Sequence, residues 1–447
     1  MSDLQFYVTM AVFAVVILVI AFDLIDMTLA GLLGVSVLVV FGVLDEADFL
    51  SAAKTSSGPL LLLFGGMVVA RILSTSGIFE RVGNVYLRAT QGSGKRFLLL
   101  LFVLVAPLCA LLPNATTVVL LAPIIISVAK ALDIDFVPAM ILTAIISNSA
   151  GLLTLVGDPA TFLVGSSIGM TFGEYLRKVS LGGVLAVLVP LAIVPFLMPG
   201  LWKMRRPLPP PLPTPPMEHP VFAACAVAVV IGMVVLFVIG EELPSRLVPP
   251  AVAVIGASLA LLVAFAAKIE PVDDIFHDID WKTLLFLAAI FCLVEAFAKT
   301  GTLQVMALKL HAWFGAELML VAMALLAGIG ILSSLLANVP VVAASIVMVK
   351  GYLVAASVVP EIALAPGFTA WPIAATPVFI AMMFGATLGG NATLIGASAN
   401  VVAAGACAAN GRRVTFGLFL RYGLPIMVAQ LAVSAVYVFA LNHFTVR

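Results

Sequence analysis

Residues 147–161 read SNSAGLLTLVGDPAT, a polar, glycine-containing stretch set between two strongly apolar segments. Residues 385–402 read GATLGGNATLIGASANVV and have the same character near the other end of the chain. In a membrane, non-helical backbone survives only where it is buried in protein or lines a cavity, because hydrocarbon offers no hydrogen bonds. If the flanking segments lie in a membrane, the two stretches therefore predict broken helices that build a binding site.

The composition shows that the flanking segments do belong in a bilayer. The chain has 447 residues, 63% of them hydrophobic, and a mean hydropathy of +1.24. Only 10% of the residues are charged, whereas a soluble domain carries about 25%. This composition excludes a soluble globular enzyme, a disordered protein and a nucleic-acid binder, which needs a basic face. The solvent of this chain is therefore the lipid bilayer.

Apolar runs and interrupted apolar stretches alternate along the chain. Eight runs are long enough to cross a hydrocarbon core of about 30 Å, and they lie at residues 6–22, 28–44, 57–74, 181–202, 220–240, 248–267, 282–298 and 421–441. Four further stretches are interrupted by polar residues, Gly or Pro, at residues 97–132, 137–170, 318–356 and 371–409. The sequence therefore predicts an all-α polytopic membrane protein.

The two halves of the chain resemble each other. TSG at 75–77 and KTG at 299–301 are related by the same sequence offset as Asn114 and Asn338. TLVGDPAT at 154–161 similarly matches TLIGASAN at 393–400. Such ordered matches indicate an internal duplication. We predict three parts, namely a first membrane repeat at 1–206, a Pro-rich cytoplasmic linker at 207–219 and a second membrane repeat at 220–447.

The positions of Lys and Arg predict the orientation of the repeats. Basic residues cluster at 81–96, 203–206 and 412–413, and such clusters are typical of cytoplasmic loops. Each repeat then has about five crossings, one of them broken, and a re-entrant hairpin. Five is odd, so the second repeat is inverted relative to the first. Inverted repeats with broken helices are typical of secondary transporters, and we expect a multi-pass protein of the inner (plasma) membrane.

The two broken motifs and the hairpin asparagines resemble those of the ion transporter superfamily. This superfamily includes arsenite-efflux permeases, the melanosomal P protein, sodium/proton antiporters and dicarboxylate/sodium symporters. The similarity spans both halves and is greatest to the arsenite permease and P protein branch. It implies an elevator-like secondary transporter whose substrate site lies where the two hairpin tips meet the two broken helices.

Neutral polar residues of the hairpin tips and broken helices form the predicted substrate site. Asn and Thr side chains both donate and accept hydrogen bonds, as a hydroxylated solute requires. Helix capping and helix–helix contacts are the alternative roles for these residues. The predicted substrate-binding residues are Asn114, Thr116, Thr117, Ser147, Asn148, Thr154, Asn338, Asn391, Thr393 and Asn400.

The first broken motif contains one acidic residue, Asp158. The second motif contains none and has Ala397 at the corresponding position. We predict that Asp158 carries the coupling proton, with helix capping as the alternative. Glu295 is a second candidate for proton coupling because it lies inside an apolar run, where charge is expensive. Arg71 and Glu295 are related by the same sequence offset as the two hairpin asparagines, and a structural role suits either residue.

The hairpin tips differ from the superfamily pattern in one respect. Sodium/proton relatives often carry Asp before the hairpin asparagine, whereas this chain has Pro113 and Ala337. The missing acids disfavour sodium coupling and favour a neutral or anionic solute coupled to protons. The resemblance then implies proton-coupled efflux of arsenite or antimonite. The alternatives are an anion or dicarboxylate carrier, a sodium/proton exchanger and silicate efflux.

Other functional classes lack their signatures in this sequence. A channel does not need duplicated hairpins around one site. An intramembrane aspartyl protease needs a second catalytic Asp and a GxGD motif, and an ATP-driven pump needs a GxxxxGK[ST] loop. We therefore predict a transporter that is no enzyme, with no cofactor and no metal site. Its expected partners are a small inorganic solute, protons and lipid, and a homodimer or a docked cytoplasmic ATPase subunit is compatible with the sequence.

Overall fold

The computed structural model describes residues 3–21, 24–208, 210, 219–364 and 368–445. Within these ranges the chain is α-helical with three short 3-10 turns, and an isolated bridge between Ser93 and Arg205 is the sole β-type pairing. Ten of the helices in the described ranges are long and apolar enough to cross a membrane. The prediction of an all-α polytopic membrane protein is therefore confirmed.

The first half of the chain forms eleven α-helices in the described residues. Asp26 and Asp45 accept hydrogen bonds from the first-turn N–H groups of the second and third helices, which have no partner within the helix. The helices are α1 (Asp3–Ala21), α2 (Met27–Val40), α3 (Glu46–Thr75), α4 (Ile78–Thr90), α5 (Gly94–Cys109), α6 (Asn114–Ala131), α7 (Phe136–Ala150), α8 (Pro159–Ser167), α9 (Phe172–Lys178), α10 (Ser180–Leu197) and α11 (Pro199–Lys203).

The second half forms ten α-helices in the described residues, in a closely similar order. They are α12 (Pro220–Ile239), α13 (Pro249–Ala267), α14 (Val272–His277), α15 (Trp281–Lys299), α16 (Thr302–Phe314), α17 (Leu318–Leu335), α18 (Asn338–Ala355), α19 (Thr376–Gly389), α20 (Ser398–Ala409) and α21 (Phe416–Thr445). The paired motifs TSG and KTG both precede corresponding helices, α4 and α16. Their glycines, Gly77 and Gly301, have φ of +71° and +79°, a conformation that glycine adopts readily.

Of the predicted linker at 207–219, residue 209 and residues 211–218 lie outside the described residues. The boundaries of the two repeats and their inverted orientation therefore stay predictions.

All four interrupted stretches contain real helix breaks. The chain leaves the helix at 110–113 between α5 and α6 and at 151–158 between α7 and α8. In the second half, a shorter break lies at 336–337 between α17 and α18. A break of the same length as 151–158 lies at 390–397 between α19 and α20. Proline contributes to two of them, because Pro113 precedes α6 and Pro159 begins α8. Proline is well suited to the start of a helix, because the N–H that it lacks would have no partner within the helix there.

The helices pack in two groups. In the first, which we call the frame, α3 packs against α13 and α15, α2 packs against α1 and α15, and α12 packs against α13. In the second, which we call the core group, α17 packs against α19, α6 against α7 and α20, and α10 against α21. The frame thus consists of uninterrupted spans, whereas the core group contains both hairpins and both broken helices together with the uninterrupted helices α10 and α21.

An ion-pair cluster joins the two halves at the end of α3. Arg71 Nε lies 2.7 Å from Asp278 Oδ2, and the same guanidinium also pairs with Glu270. Arg71 is about one-quarter exposed. It therefore pairs with acids of the loops on either side of α14, and it pairs with neither Glu295 nor the broken helices.

The three basic segments lie together at one end of the molecule. The N–H of Arg206 donates to the carbonyl of Gly92 at 2.8 Å, and its guanidinium lies 3.2 Å from Asp133. Arg412 pairs with Asp135 of the same α6–α7 loop at 2.9 Å. This is the arrangement that the predicted orientation requires, because cytoplasmic segments must share one face.

Candidate functional site

The tip of each hairpin is hydrogen-bonded to the broken segment of its own half. The Thr154 hydroxyl donates to the carbonyl of Ala110, and the Thr393 hydroxyl donates to the carbonyl of Ser334. The two acceptors are related by the same sequence offset as the hairpin asparagines, which is the spacing of the duplication. Both halves therefore build the same contact from corresponding residues.

Asp158 links the broken segment of the first half to the second half. Its side chain is buried, and its Oδ2 accepts hydrogen bonds from Asn338 Nδ2 at 2.9 Å and from Thr387 Oγ1 at 3.5 Å. Asp158 occupies the N-cap position of α8, yet it makes no side-chain cap hydrogen bond in the described structure. The carboxylate is therefore directed at the opposite hairpin and the opposite broken helix.

The two hairpin asparagines have different surroundings. Asn114 and Asn338 are the first residues of α6 and α18, so neither is the capping residue of its helix. A Cβ added at Gly151 would lie 2.9 Å from Asp158 Cβ and 3.3 Å from Asn114 Nδ2, so both side chains approach this glycine. Asn338 is bonded to Asp158, whereas Asn114 Oδ1 has no hydrogen-bond partner among the described residues.

Amide side chains connect the two broken helices directly. Asn148 Nδ2 donates to Asn391 Oδ1 at 3.2 Å and to Asn400 Oδ1 at 3.0 Å. Asn400 Nδ2 in turn donates to the carbonyls of Gly390 at 2.8 Å and Thr393 at 2.7 Å. Because buried amides need partners, this network fixes the rotamers of all three asparagines.

Sequence reasoning missed Gln430. This fully buried residue of α21 donates from Nε2 to Ser149 Oγ and to the Ala186 carbonyl, both at 2.7 Å, and accepts from Asn391 at 2.8 Å. The available signal was a single amide within the apolar run at 421–441, since an amide in hydrocarbon is costly without partners. The predicted set also omits Ser149 and Thr387, which belong to the networks above.

The structure brings most of the predicted site residues together. Those that belong to the hydrogen-bonded networks are Asn148, Thr154, Asp158, Asn338, Asn391, Thr393 and Asn400. Asn114, Thr117 and Ser147 are buried beside them, each with an unpaired oxygen among the described residues. Thr116 is half-buried on α6.

Glu295 lies in a different place. It is half-buried on α15 beside Ser51 of α3. One turn further along α15, Lys299 pairs with Asp48 at 2.5 Å and with Asp45 at 2.7 Å. Glu295 therefore lies beside the ion pairs of Lys299 that join α3 to α15 in the frame, and the structure does not bring it to Asp158.

The site is chemically an array of neutral amides and hydroxyls around one carboxylate. Among the described residues, no Lys or Arg is hydrogen-bonded to it, and no group of three or more His, Cys, Asp or Glu side chains is placed to hold a metal ion. Such an array can bind a neutral hydroxylated solute, and its carboxylate can bind a proton or another cation.

Comparison with known proteins gives the family. A family model described as CitMHS, citrate transporter, matches residues 16–374. An uncharacterized transporter of Synechocystis sp. is 42% identical over 438 residues, which is 98% of each chain. The human P protein is 26% identical over 521 residues, which covers 97% of this chain and 60% of the P protein. The YdaH transporter of Alcanivorax borkumensis superposes with a TM-score of 0.48 at 11% identity, over 89% of this chain and 87% of its own.

The family model and the P protein agree with the superfamily inferred from the two broken motifs and the hairpin asparagines. They do not test the arsenite branch, which stays a prediction. Because the family model covers well over half of the sequence, this multi-pass membrane protein is a transporter that belongs to the CitMHS citrate transporter family.

Proposed function

We propose that the chain is a proton-coupled secondary transporter that exports a small neutral hydroxylated solute, with arsenite or antimonite as that solute. The observation that carries the proposal is the buried Asp158 carboxylate, held by Asn338 and Thr387 in an otherwise neutral polar site. Arsenite is a neutral trihydroxide at physiological pH, so amides and hydroxyls can satisfy it without a charged partner. An acid at membrane depth is the usual form of a proton relay.

Citrate is the second candidate, and the family model over residues 16–374 favours it. The chemistry of the site is less favourable, because citrate carries three carboxylates and no basic side chain is bonded to the described site. Helix N-termini provide a partial compensation, since α6, α8 and α18 all begin at the site and carry partial positive charge there.

A flux assay on the purified chain in proteoliposomes separates these candidates. Arsenite, antimonite, silicate, citrate and succinate are offered with and without an imposed pH gradient, and with and without sodium. We expect a pH gradient to accelerate arsenite and antimonite flux, and sodium to have no effect. Citrate flux without metalloid flux would replace the first candidate by the second, and stimulation by sodium alone would contradict proton coupling.

Replacing Asp158 by Asn tests the coupling residue. The amide oxygen of the substituted side chain could still accept the hydrogen bond from Asn338, but this side chain would no longer titrate. We therefore expect Asp158→Asn to retain solute exchange. The factor by which a pH gradient accelerates its flux should fall at least about tenfold. Glu242→Gln, which neutralises an exposed acid of the turn at 240–242, is the matched control. An unchanged pH response in Asp158→Asn would contradict the assignment.

A further inference from the structure

Unpaired polar atoms are concentrated on one side of the site. Five buried side-chain atoms lack a hydrogen-bond partner among the described residues, and they are Asn114 Oδ1, Thr117 Oγ1, Ser147 Oγ, Thr161 Oγ1 and Ser434 Oγ. Buried polar groups in folded proteins are nearly always paired, so each exception requires an explanation. Three of the five belong to α6 and α7 of the first half.

Helical periodicity places these three side chains at one interface. Asn114 and Thr117 are three residues apart on α6, and Ser147 and Gly151 are four residues apart on α7, so each pair shares a helix face. The two helices pack against each other, and a Cβ added at Gly151 would lie 3.3 Å from Asn114 Nδ2. The unpaired oxygens therefore line the contact between α6 and α7 below the hairpin tip.

Cys109 lies against the same atoms. It is the last residue of α5 and is fully buried, and its thiol contacts the hydroxyls of Thr117 and Ser147. Neither contact has the geometry of a hydrogen bond, so both hydroxyls stay unpaired among the described residues. We call these four residues, Cys109, Asn114, Thr117 and Ser147, the thiol cluster.

In the second half, the two polar counterparts of these residues are paired and the other two positions are apolar, Val341 and Ala386. Ser333 corresponds to Cys109 by the offset of the duplication, and it donates from Oγ to the carbonyl of Ala386 at 2.5 Å. Asn338, which corresponds to Asn114, is bonded to Asp158. The duplication thus provides an internal comparison, in which the positions that correspond to the thiol cluster carry no unpaired polar atom among the described residues.

We propose that the thiol cluster is the inner binding site for the transported solute, a trivalent metalloid hydroxide held by sulfur and by hydrogen bonds. This inference rests on the proposed function. Soft thiol ligands select soft metal centres over hard ones. The Cys109 sulfur forms a bond to arsenic while one arsenic–oxygen bond breaks, and the thiol proton leaves with that hydroxyl as water, without any redox change. The two remaining hydroxyls donate to Asn114 Oδ1 and to one of the Thr117 and Ser147 hydroxyls, and the other of these two hydroxyls donates to an arsenic-bound oxygen.

This arrangement explains how a site of neutral groups distinguishes chemically similar hydroxides. Silicate also presents hydroxyls to amides and to Thr and Ser side chains, but silicon is a hard centre and sulfur does not favour it. Because the thiol cluster is buried, the solute reaches it when the α5–α6 tip parts from the segment at 151–158. Binding and tip opening are therefore linked, and the carboxylate of Asp158, which is held by Asn338 and Thr387, is not a ligand of the solute.

Arsenic X-ray absorption of the full chain loaded with arsenite tests the bond directly. The measurement uses a background variant, Cys225→Ser with Cys292→Ser, that keeps the two fully buried cysteines. We expect one sulfur atom in the coordination shell of arsenic in this background. Adding Cys109→Ser to the background should remove that sulfur, whereas adding Cys407→Ser should leave it. Cys407 lies on α20 near Asp135 and Arg412, away from the cluster, and so is the matched control.

Transport kinetics provide the second measurement. We expect Cys109→Ser to raise the KM for arsenite at least about tenfold, and Cys407→Ser to leave it unchanged. Ser is well suited to this position because the second half carries Ser333 at the corresponding place. Ser147→Ala, which copies Ala386 of the second half, should raise the KM for arsenite to a smaller extent.

The outcomes separate this inference from the function on which it rests. An all-oxygen arsenic shell together with normal arsenite flux overturns the thiol site and leaves the proposed function in place. An arsenic–sulfur bond without flux overturns the proposed function and leaves the site. Binding of sodium in place of arsenite overturns the thiol cluster as a metalloid site, and absence of both bond and flux overturns both.

Discussion

Gln430 connects more of the site than any residue that sequence reasoning selected. It is a residue of α21, yet its amide meets Ser149 of α7, Ala186 of α10 and Asn391 of the second broken segment. Its Nε2 has both hydrogen atoms engaged and its Oε1 accepts the amide of Asn391. This side chain therefore holds together four parts of the chain that carry no common motif.

Removing the amide of Gln430 should destabilise the protein. Gln430→Leu would remove one hydrogen bond each from Asn391, Ser149 and the Ala186 carbonyl in a buried site, although Asn391 still donates to Ser149. We expect a cost of about 1–3 kcal/mol in the free energy of unfolding. Denaturation in detergent micelles measures this change. Ser434→Ala is the control, because Ser434 lies one turn along the same helix and its hydroxyl has no partner among the described residues. Equal losses in the two variants would contradict the role given to Gln430.

At the residue scale, the sequence identifies site residues better than their partners. Asn148, Asn391 and Thr393 stand out because polar side chains are expensive in an apolar run. The pairing of Asp158 with Asn338 does not follow from the sequence, because it depends on how the second hairpin docks on the first broken segment. Gln430 is missed because it is a single amide in an apolar helix, and the other half of the chain has no corresponding residue to draw attention to it.

Helix α19 approaches α17 at glycine. A Cβ added at Gly389 would fall on the carbonyl of Gly330 and would lie 2.8 Å from its Cα. Small residues permit such close approach in membrane proteins, where dispersion and polar contacts hold helices together. The second broken helix is thus fixed against the second hairpin by backbone contact.

A methyl group at this contact should separate the two helices. We expect Gly389→Ala to lower the free energy of unfolding by about 1–3 kcal/mol, because a carbonyl oxygen cannot move aside as a side chain can. Gly328→Ala on α17 is the control, since nothing lies within 4 Å of its added Cβ. Because Ala has a better helix propensity than Gly, Gly328→Ala should not lower the stability that a thermal unfolding measurement reports. Equal destabilisation would contradict the close-contact explanation.

At the element scale, the sequence predicts membrane spans and breaks well and helix starts less well. The breaks at 110–113 and 151–158 are visible because Pro and Gly interrupt otherwise apolar runs. Helix α3 begins at Glu46, well before the predicted run at 57–74. Its first turns are polar and are started by the Asp45 cap, so an apolar window does not detect them.

The whole molecule carries its basic loops at one end, and this makes the predicted inversion testable. Lys95 and Glu317 stand at the starts of α5 and α17, the first arms of the two hairpins, and both are exposed. We expect an impermeant maleimide to label Glu317→Cys in intact cells and Lys95→Cys only after permeabilisation. Arg412→Cys should behave like Lys95→Cys. Labelling of positions 95 and 317 from the same side would contradict inverted repeats.

The single acid of the site has an electrical consequence. The duplication places Ala397 where the first half has Asp158, so the proposed coupling through Asp158 provides one proton per turnover. Exchange of one proton for one neutral solute is electrogenic, and 100 mV is worth about 2.3 kcal/mol per elementary charge. That corresponds to about a fiftyfold concentration ratio. A potassium diffusion potential set with valinomycin should therefore drive the solute even when both sides of the membrane have the same pH.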